Sequence, residues 1–206
     1  MSERAVRLED AIKKCLVPYV RQDGFTGSGR TFRRVINGWI QVVNVQGSRY
    51  GGQFAINLGL QPLAIPDVLG NTSDPKKITE PLCEFRRRLS ESGGDQWWKH
   101  DASAPSMEAA VSAAAEVYAR IGRPLLNEMS STESPLNTVS AEDFERSQFD
   151  FRGFKSTNVR MALALARLRQ AQGKLSESRS FAKYGLAHVG DAVAFKRMFE
   201  QLCVTH

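Results

Sequence analysis

Gly24 to Leu60 reads GFTGSGRTFRRVINGWIQVVNVQGSRYGGQFAINLGL, and this stretch decides the fold. Near its middle, Asn37-Gly38 separates two runs rich in β-branched and aromatic residues. That dipeptide readily takes the two positive φ angles of a type I′ turn, so it links two strands directly. The turn sets a register: Ile36 opposite Trp39, Arg34 opposite Gln41, Phe32 opposite Val43, because side chains alternate faces along a strand. Farther on, Phe54, Ile56, Leu58 and Leu60 share one face of a third strand, and Gln53, Ala55, Asn57 and Gly59 share the other. The loop Ser48 to Gly52, SRYGG, supplies the second reversal. Joining the apolar face of the third strand to Val35, Ile40 and Val42 gives one continuous oily surface. Phe32, Arg34, Trp39, Gln41, Val43 and Asn57 are then expected together on the opposite face.

On the N-terminal side, Arg4 to Val20 is predicted as a helix whose Leu8, Ile12, Cys15, Leu16 and Tyr19 form one buried stripe against the oily sheet face. The intervening TGSGR has the look of a phosphate cradle. It lacks the Walker lysine and the following Ser/Thr, and a strand rather than a helix follows it, so it reads as a structural turn. On the C-terminal side, Pro62, Pro66, Gly70 and Asp74-Pro75 mark an irregular connection. A fourth strand, CEFRRRL, then alternates Cys83, Phe85, Arg87 and Leu89 with Glu84, Arg86 and Arg88. With the first set in the core, Arg86 and Arg88 join Arg34, Trp39, Gln41 and Asn57 on the outer face. These six residues are the candidate ligand-binding set: guanidinium, carboxamide and indole groups that together can grip a carboxylate or phosphate. The competing reading is an exposed sheet face, polar for solubility, with its arginines paired to nearby acids.

In GGDQWWKHD, one of Trp97 and Trp98 is expected to bury and the other to line a rim. His100 beside Asp101 suggests acid/base chemistry, but spacing places no serine or cysteine nucleophile near them, so no catalytic residue is assigned. The initial helix, GF followed by GRTF, VVNVQGS, FAINLGL, CEFRRRL and the tryptophan after it together resemble the bacterial family catalogued as domain of unknown function 4304, over roughly Leu8 to Met129. The resemblance implies an α+β fold and a cytoplasmic bacterial origin. It brings no established activity and hence no catalytic residue. Asn44, Gln46, Asn57 and Arg86 fall within the resembling motifs.

Ser106 to Met129 is predicted as a long Ala-rich helix disturbed at Gly122 and Pro124 by a kink or a stop and restart. Residues 130–156 lack strong periodicity and read as a linker, yet Phe144, Phe149, Phe151 and Phe154 are too many aromatics for a free tether, so part of it should be pinned. From Thr157 the chain reads as three helices. Gly173-Lys174 breaks the first, Ser176 caps the second and Asp191 the third. ALALARLRQAQGKLSESRSFAKYGL is similar to one tetratricopeptide unit, but a repeat stack needs about three units to bury its faces. The fold expected is therefore α+β: an antiparallel sheet of about four strands with helices packed on one face, plus a C-terminal helical hairpin or three-helix extension. The organisation expected is an α+β domain over 1–129, a linker or partly pinned loop over 130–156 and a helical extension over 157–206.

The 206 residues are 42% hydrophobic and 24% charged, the make-up of an ordinary globular chain able to bury a core without disulfide or metal. Cys15, Cys83 and Cys203 are far apart and never form a CxxC pair, which points to a reducing compartment, with the cytoplasm as default. No signal peptide or transmembrane run is read, and neither metal nor cofactor is called. The net charge is +6, unevenly spread: nine basic against five acidic residues over 1–70, nine against fourteen over 71–151, and ten against three over 152–206. The partners this suggests are another protein or an anionic small ligand. Nucleic acid, through the basic tail, has no accompanying motif. The leading functional expectation is a non-enzymatic binding module using the outer polar sheet face or the tail. The alternatives are a small-molecule enzyme built on the arginine cluster with His100, and a nucleic-acid binder.

Overall fold

The Asn37-Gly38 turn forms as its chemistry requires, with φ of 50° and 77° at the two residues. On either side, β2 (Thr31–Ile36) and β3 (Trp39–Gly47) pair antiparallel with Ile36 opposite Trp39, Arg34 opposite Gln41 and Phe32 opposite Val43. This computed structural model describes residues 7–204. Its sheet has six strands: β1 (Thr26–Ser28), β2, β3, β4 (Gln53–Pro62) and β5 (Phe85–Arg88) in that order, with β6 (Trp98–Lys99) beside β4. The fold is α+β, and two very short strands extend the four expected. TGSGR is a hairpin turn, with β1 folded back on β2. Gly27 there has φ 123°, and a Cβ on it would lie 2.3 Å from the Thr31 carbonyl oxygen, so the close return of the chain needs glycine.

The second hairpin corrects the expected arrangement of faces. β3 and β4 pair with Gln41 opposite Leu60, Val43 opposite Leu58 and Val45 opposite Ile56. Opposed residues of an antiparallel pair share a face. Trp39, Gln41, Val43 and Val45 therefore lie with Phe54, Ile56, Leu58 and Leu60, whereas Ile40 and Val42 lie with Asn57. The physical reason is that β3 is apolar on both sides: Trp39, Ile40, Val42, Val43 and Val45 are all buried, so oiliness alone could not say which side meets β4. The first face, carrying Val43, Leu58 and Phe85, is covered by helices. Half of the second face is covered by the irregular segment 63–84, where Ile78 and Cys83 close over Ile40 and Val42 in a separate small core.

Residues 8–22 make one helical rod: α1 (Leu8–Ala11), a π turn (Ile12–Leu16) and α2 (Val17–Gln22). The expected start at Arg4 lies outside the described residues. The long helix is built the same way, from α3 (Ala104–Val117), a π turn (Tyr118–Gly122) and α4 (Arg123–Met129). Each π turn begins six residues before a proline, Pro18 or Pro124. Proline lacks the N–H that would close the preceding turn and its ring crowds the carbonyl four residues back; widening the turn keeps the rod continuous where a kink, or a stop at Gly122 and a restart, was expected.

The 130–156 segment contains α5 (Pro135–Thr138) and α6 (Ala141–Glu145) and is anchored by its phenylalanines. Phe144, Phe151 and Phe154 are buried, Phe149 stacks on Phe144 at 4.8 Å, and Phe151 meets Phe85 of β5 edge-on. α7 (Asn158–Ala171), α8 (Leu175–His188) and α9 (Val193–Val204) follow. Thr157 caps α7 by accepting from the Arg160 N–H, but α8 begins after Lys174, two residues earlier than the Ser176 cap expected. Fully buried Arg169 ties α7 back to the segment before it, donating to the Leu136 and Val139 carbonyls and to Glu177. One apolar cluster runs from Leu16 through Leu58 and Phe151 to Leu165 and Phe199.

Candidate functional site

The alternation of strand residues divides the six candidate residues into two groups of three. Arg34, Trp39 and Gln41 sit on the helix-covered first face, and Asn57, Arg86 and Arg88 on the second. The single recognition face expected of all six is thus not formed, for the reason of β3 parity given above.

On the first face the polar groups are consumed by the fold. Gln41 is fully buried; its Nε2 donates to the Leu126 carbonyl at 2.8 Å and to Ser130 Oγ at 2.7 Å, and its Oε1 accepts from Arg34 Nε at 2.7 Å. Arg34 also donates to the Asp23 carbonyl and to Asn127 Oδ1, and stacks over Phe25 at 4.7 Å. Burial lowers its pKa, which Tyr118 and Asp23 partly offset. Asp23 Oδ2 in turn accepts from Tyr118 Oη at 2.7 Å and Arg123 Nε at 2.8 Å, and burial followed by this hydrogen bond pushes the Tyr118 phenol up. Trp39 is buried beside Phe85. Together these contacts form a polar seam locking the π turn at Tyr118 and α4 onto β2, β3 and the end of α2.

Beyond the 63–84 cover the second face exposes Gln46 and Lys99 and part of Arg88, with Asn57 buried beneath them. Arg88 is its centre: Nε donates to Asn57 Oδ1 at 3.1 Å, Nη2 to Gln46 Oε1 at 2.9 Å and Nη1 to Asp95 Oδ1 at 2.7 Å. The guanidinium lies 4.6 Å from the Trp97 ring, whose Nε1 donates to Asp95 Oδ2. Trp97 is the half-exposed partner of the pair, and Trp98 is buried, stacked on Phe54. Asn57 Nδ2 donates to Gln46 Oε1, so two of the residues noted in the sequence motifs support each other. Exposed Lys99, opposite Gln53, continues this face.

Beside Arg88 the sheet edge opens into a cleft of about 590 Å³. β5 sends Arg86 and Arg88 to one side and Arg87 to the other, and Lys155 bridges to the outer edge of Arg86, its N–H bonding the Arg86 carbonyl at 3.0 Å. Arg152 and Lys155 supply the opposite wall, and Asp95 and Asp150 are the acids in the lining. Arg86 is paired with buried Glu80 at 2.7 Å, and Arg152 with Glu128 and Asp150 at 2.8 Å each. Arg87 donates to the Arg152 carbonyl oxygen; burial lowers its pKa, which Asp150 partly offsets. Arg87, Arg152, Lys155 and Asp95 were absent from the sequence-derived set. The run Arg86-Arg87-Arg88 was the available signal, since an edge strand of consecutive arginines must present charge on both sides.

The remaining candidates resolve as structural groups. Asp101 Oδ1 accepts from the Ser103 N–H, and Ser106 Oγ accepts from the Asp101 N–H, so this carboxylate organises the start of α3, while His100 Nδ1 faces the Asp101 carbonyl. Cys83 is buried and its thiol pushed up by that burial, the opposite of an activated thiolate. Much of the tail's positive charge turns inward: Arg169 is fully buried, and Arg160 pairs with Glu84 at 3.2 Å and with the Val68 carbonyl. Burial raises the Glu84 carboxyl, and Arg160 pulls it partly back. Among the described residues, no cluster of three or more His, Cys, Asp or Glu could hold a metal ion, and no helix is long and apolar enough to cross a membrane.

The family model described as Domain of unknown function (DUF4304) matches residues 16–127. The chain belongs to this family. The resemblance carried by the strand motifs is therefore borne out, and the DUF4304 region holds all six strands, the Arg88 network and the polar seam except for Ser130. The cleft is composite: Arg86 to Asp95 come from the DUF4304 region and Asp150 to Lys155 from beyond it. No curated protein and no solved structure matches the chain.

Proposed function

We propose that this DUF4304 protein is a non-enzymatic binding module that docks an acidic patch of another protein on the open half of its second sheet face. The observation that supports this reading is the Arg88 network. It is a connected set of guanidinium, carboxamide and indole groups over which no helix of the described residues packs, with part-exposed Arg88 and Trp97 seated on buried Asn57, Lys99 on one flank and the basic cleft on the other. Such a surface offers directional donors and a stacked cation, the means by which proteins bind carboxylates. The unpaired cysteines suit work in a reducing cytoplasm.

Trp97 emission tests the reading, with Trp97→Phe as the control that assigns the signal. A glutamate-rich peptide is expected to change the emission saturably at low ionic strength. Salt should reverse the effect, and the Lys99→Glu/Lys155→Glu variant should abolish it. No saturable change at low salt, or binding of a DNA oligonucleotide in its place, overturns it.

A further inference from the structure

We infer that the cleft at the β5 edge is a site for a phosphoryl dianion, held between Arg87 and Lys155. This deepens the docking reading and rests on it for the location of the surface. The first argument is charge matching. Five cationic side chains line the cleft, and three are already compensated: Arg86 by Glu80, Arg88 by Asp95, and Arg152 by Asp150 and Glu128. Among the described residues, Arg87 and Lys155 have no carboxylate within ion-pair distance. Arg87 donates to the Arg152 carbonyl and feels Asp150, an acid it shares with Arg152, only at longer range, and the Lys155 ammonium is exposed with no side-chain partner among the described residues. Five cations against four carboxylates leave the cleft net positive, and a phosphoryl group, with more acceptor oxygens than a carboxylate and a second charge near neutral pH, can engage Arg87 and Lys155 together.

The second argument is access. Gly93 and Gly94 on one wall and Gly153 on the other carry no side chains, and Gly93 and Gly153 hold φ of 81° and 77°, conformations that suit glycine. A ligand can therefore approach the backbone closely at Gly93 and Gly94, while at Gly153 the missing side chain makes room for the Arg87 guanidinium, 3.4 Å from where a Cβ would lie. The third is donor type. Arg87 offers a planar fork and Lys155 a compact charge, and these two geometries together cover several oxygens of one tetrahedral anion. A cleft of about 590 Å³ holds a phosphoryl group and part of what carries it. The carrier can be a polypeptide side chain or the anion can be free.

Calorimetric titration of the full chain tests the inference with inorganic phosphate, a phosphoserine peptide and the same peptide unphosphorylated. Saturable binding of phosphate and phosphopeptide is expected, weakened about tenfold in Arg87→Gln and in Lys155→Gln. Lys183→Gln, on α8, should leave it unchanged, and thermal melts check that each variant is folded. Affinity for the phosphopeptide should rise as pH increases through its second ionisation, at about pH 6, because the guanidinium and ammonium stay charged throughout. A phosphopeptide preferred at least about tenfold over inorganic phosphate identifies a polypeptide carrier, and equal affinities identify the free anion. Absence of phosphate binding at low salt, affinity indifferent to pH, or full binding by the Arg87→Gln/Lys155→Gln double variant overturns the inference. If glutamate-rich peptides still bind Trp97's surface in that case, the docking function stands and only its phosphoryl specificity falls.

Discussion

The two faces of the sheet carry nearly the same chemical unit in two different settings. On the first, Arg34 donates through Nε to the Gln41 carboxamide and lies over Phe25 at 4.7 Å; on the second, Arg88 donates through Nε to the Asn57 carboxamide and lies over Trp97 at 4.6 Å. The first unit is roofed by α4, whose Leu126 carbonyl and Ser130 hydroxyl accept the remaining Gln41 protons. The second has only the Trp97 ring and no helix of the described residues over it, and keeps Asp95 and Gln46 as partners at the solvent boundary. An arginine, an amide and a ring are therefore not in themselves a recognition motif. What covers them determines whether they hold the fold or face a partner.

Removing the buried amide should produce the largest effect. Gln41→Leu strips Arg34 Nε of its acceptor and breaks two further buried bonds, leaving the Leu126 carbonyl and Ser130 only the contacts they make with each other, and a loss of about 3 kcal/mol is expected in chemical denaturation. A loss below about 1 kcal/mol would mean that water reaches the seam and the contrast between the faces is false. A matched pair of substitutions gives a smaller, sharper test. Arg34→Lys loses the fork that serves Gln41, Asp23 and Asn127 at once and should cost about 2 kcal/mol, whereas Arg88→Lys should cost about 0.5 kcal/mol because solvent replaces what is lost. Equal losses from urea melts of the two variants would break the comparison.

An effect of opposite sign is expected at Glu84, where the cover of the second face meets α7. Burial raises its folded pKa above the ordinary 4.5 despite Arg160. The folded state therefore binds the proton more tightly than the unfolded state. The contribution of this group to stability falls as pH rises from the unfolded value through the folded one, then stays level. Glu84→Gln should remove that decline and equal or exceed the wild type at pH 7, by no more than about 1 kcal/mol. A variant less stable than the wild type at pH 7, measured across a pH series of denaturant melts, would show the ion pair to be worth more than its desolvation.

How much of this was legible follows from where local chemistry was decisive. Asn37-Gly38 dictated the β2–β3 register residue by residue, because a two-residue turn leaves no freedom. The five-residue reversal Ser48 to Gly52 leaves such freedom, and the double-sided oiliness of β3 removed the hydrophobic cue that would otherwise set parity; Arg34 and Gln41 were consequently placed on the wrong side of Asn57. Arg86 and Arg88 were correctly read as sharing a face with Asn57, since alternation within CEFRRRL needs no knowledge of a neighbour. The cleft's second wall was out of reach: nothing local says that Lys155 returns to the edge of β5, a contact made across 69 residues of chain. The four phenylalanines did signal that 130–156 is anchored, because aromatic area is seldom left in water.

The widened turns also have a bearing on how the chain can vary in length. In the N-terminal rod Leu8, Ile12, Leu16 and Val20 are buried at intervals of four, a spacing that would wind a regular α-helix progressively off its contact line; the π turn takes up the surplus. Each such turn is in effect an ordinary helix carrying one supernumerary residue. A deletion of one residue within Ile12–Leu16 or Tyr118–Gly122 would leave the segments on either side still aimed at the same neighbours, whereas the same deletion a turn away would rotate half the rod out of its seat.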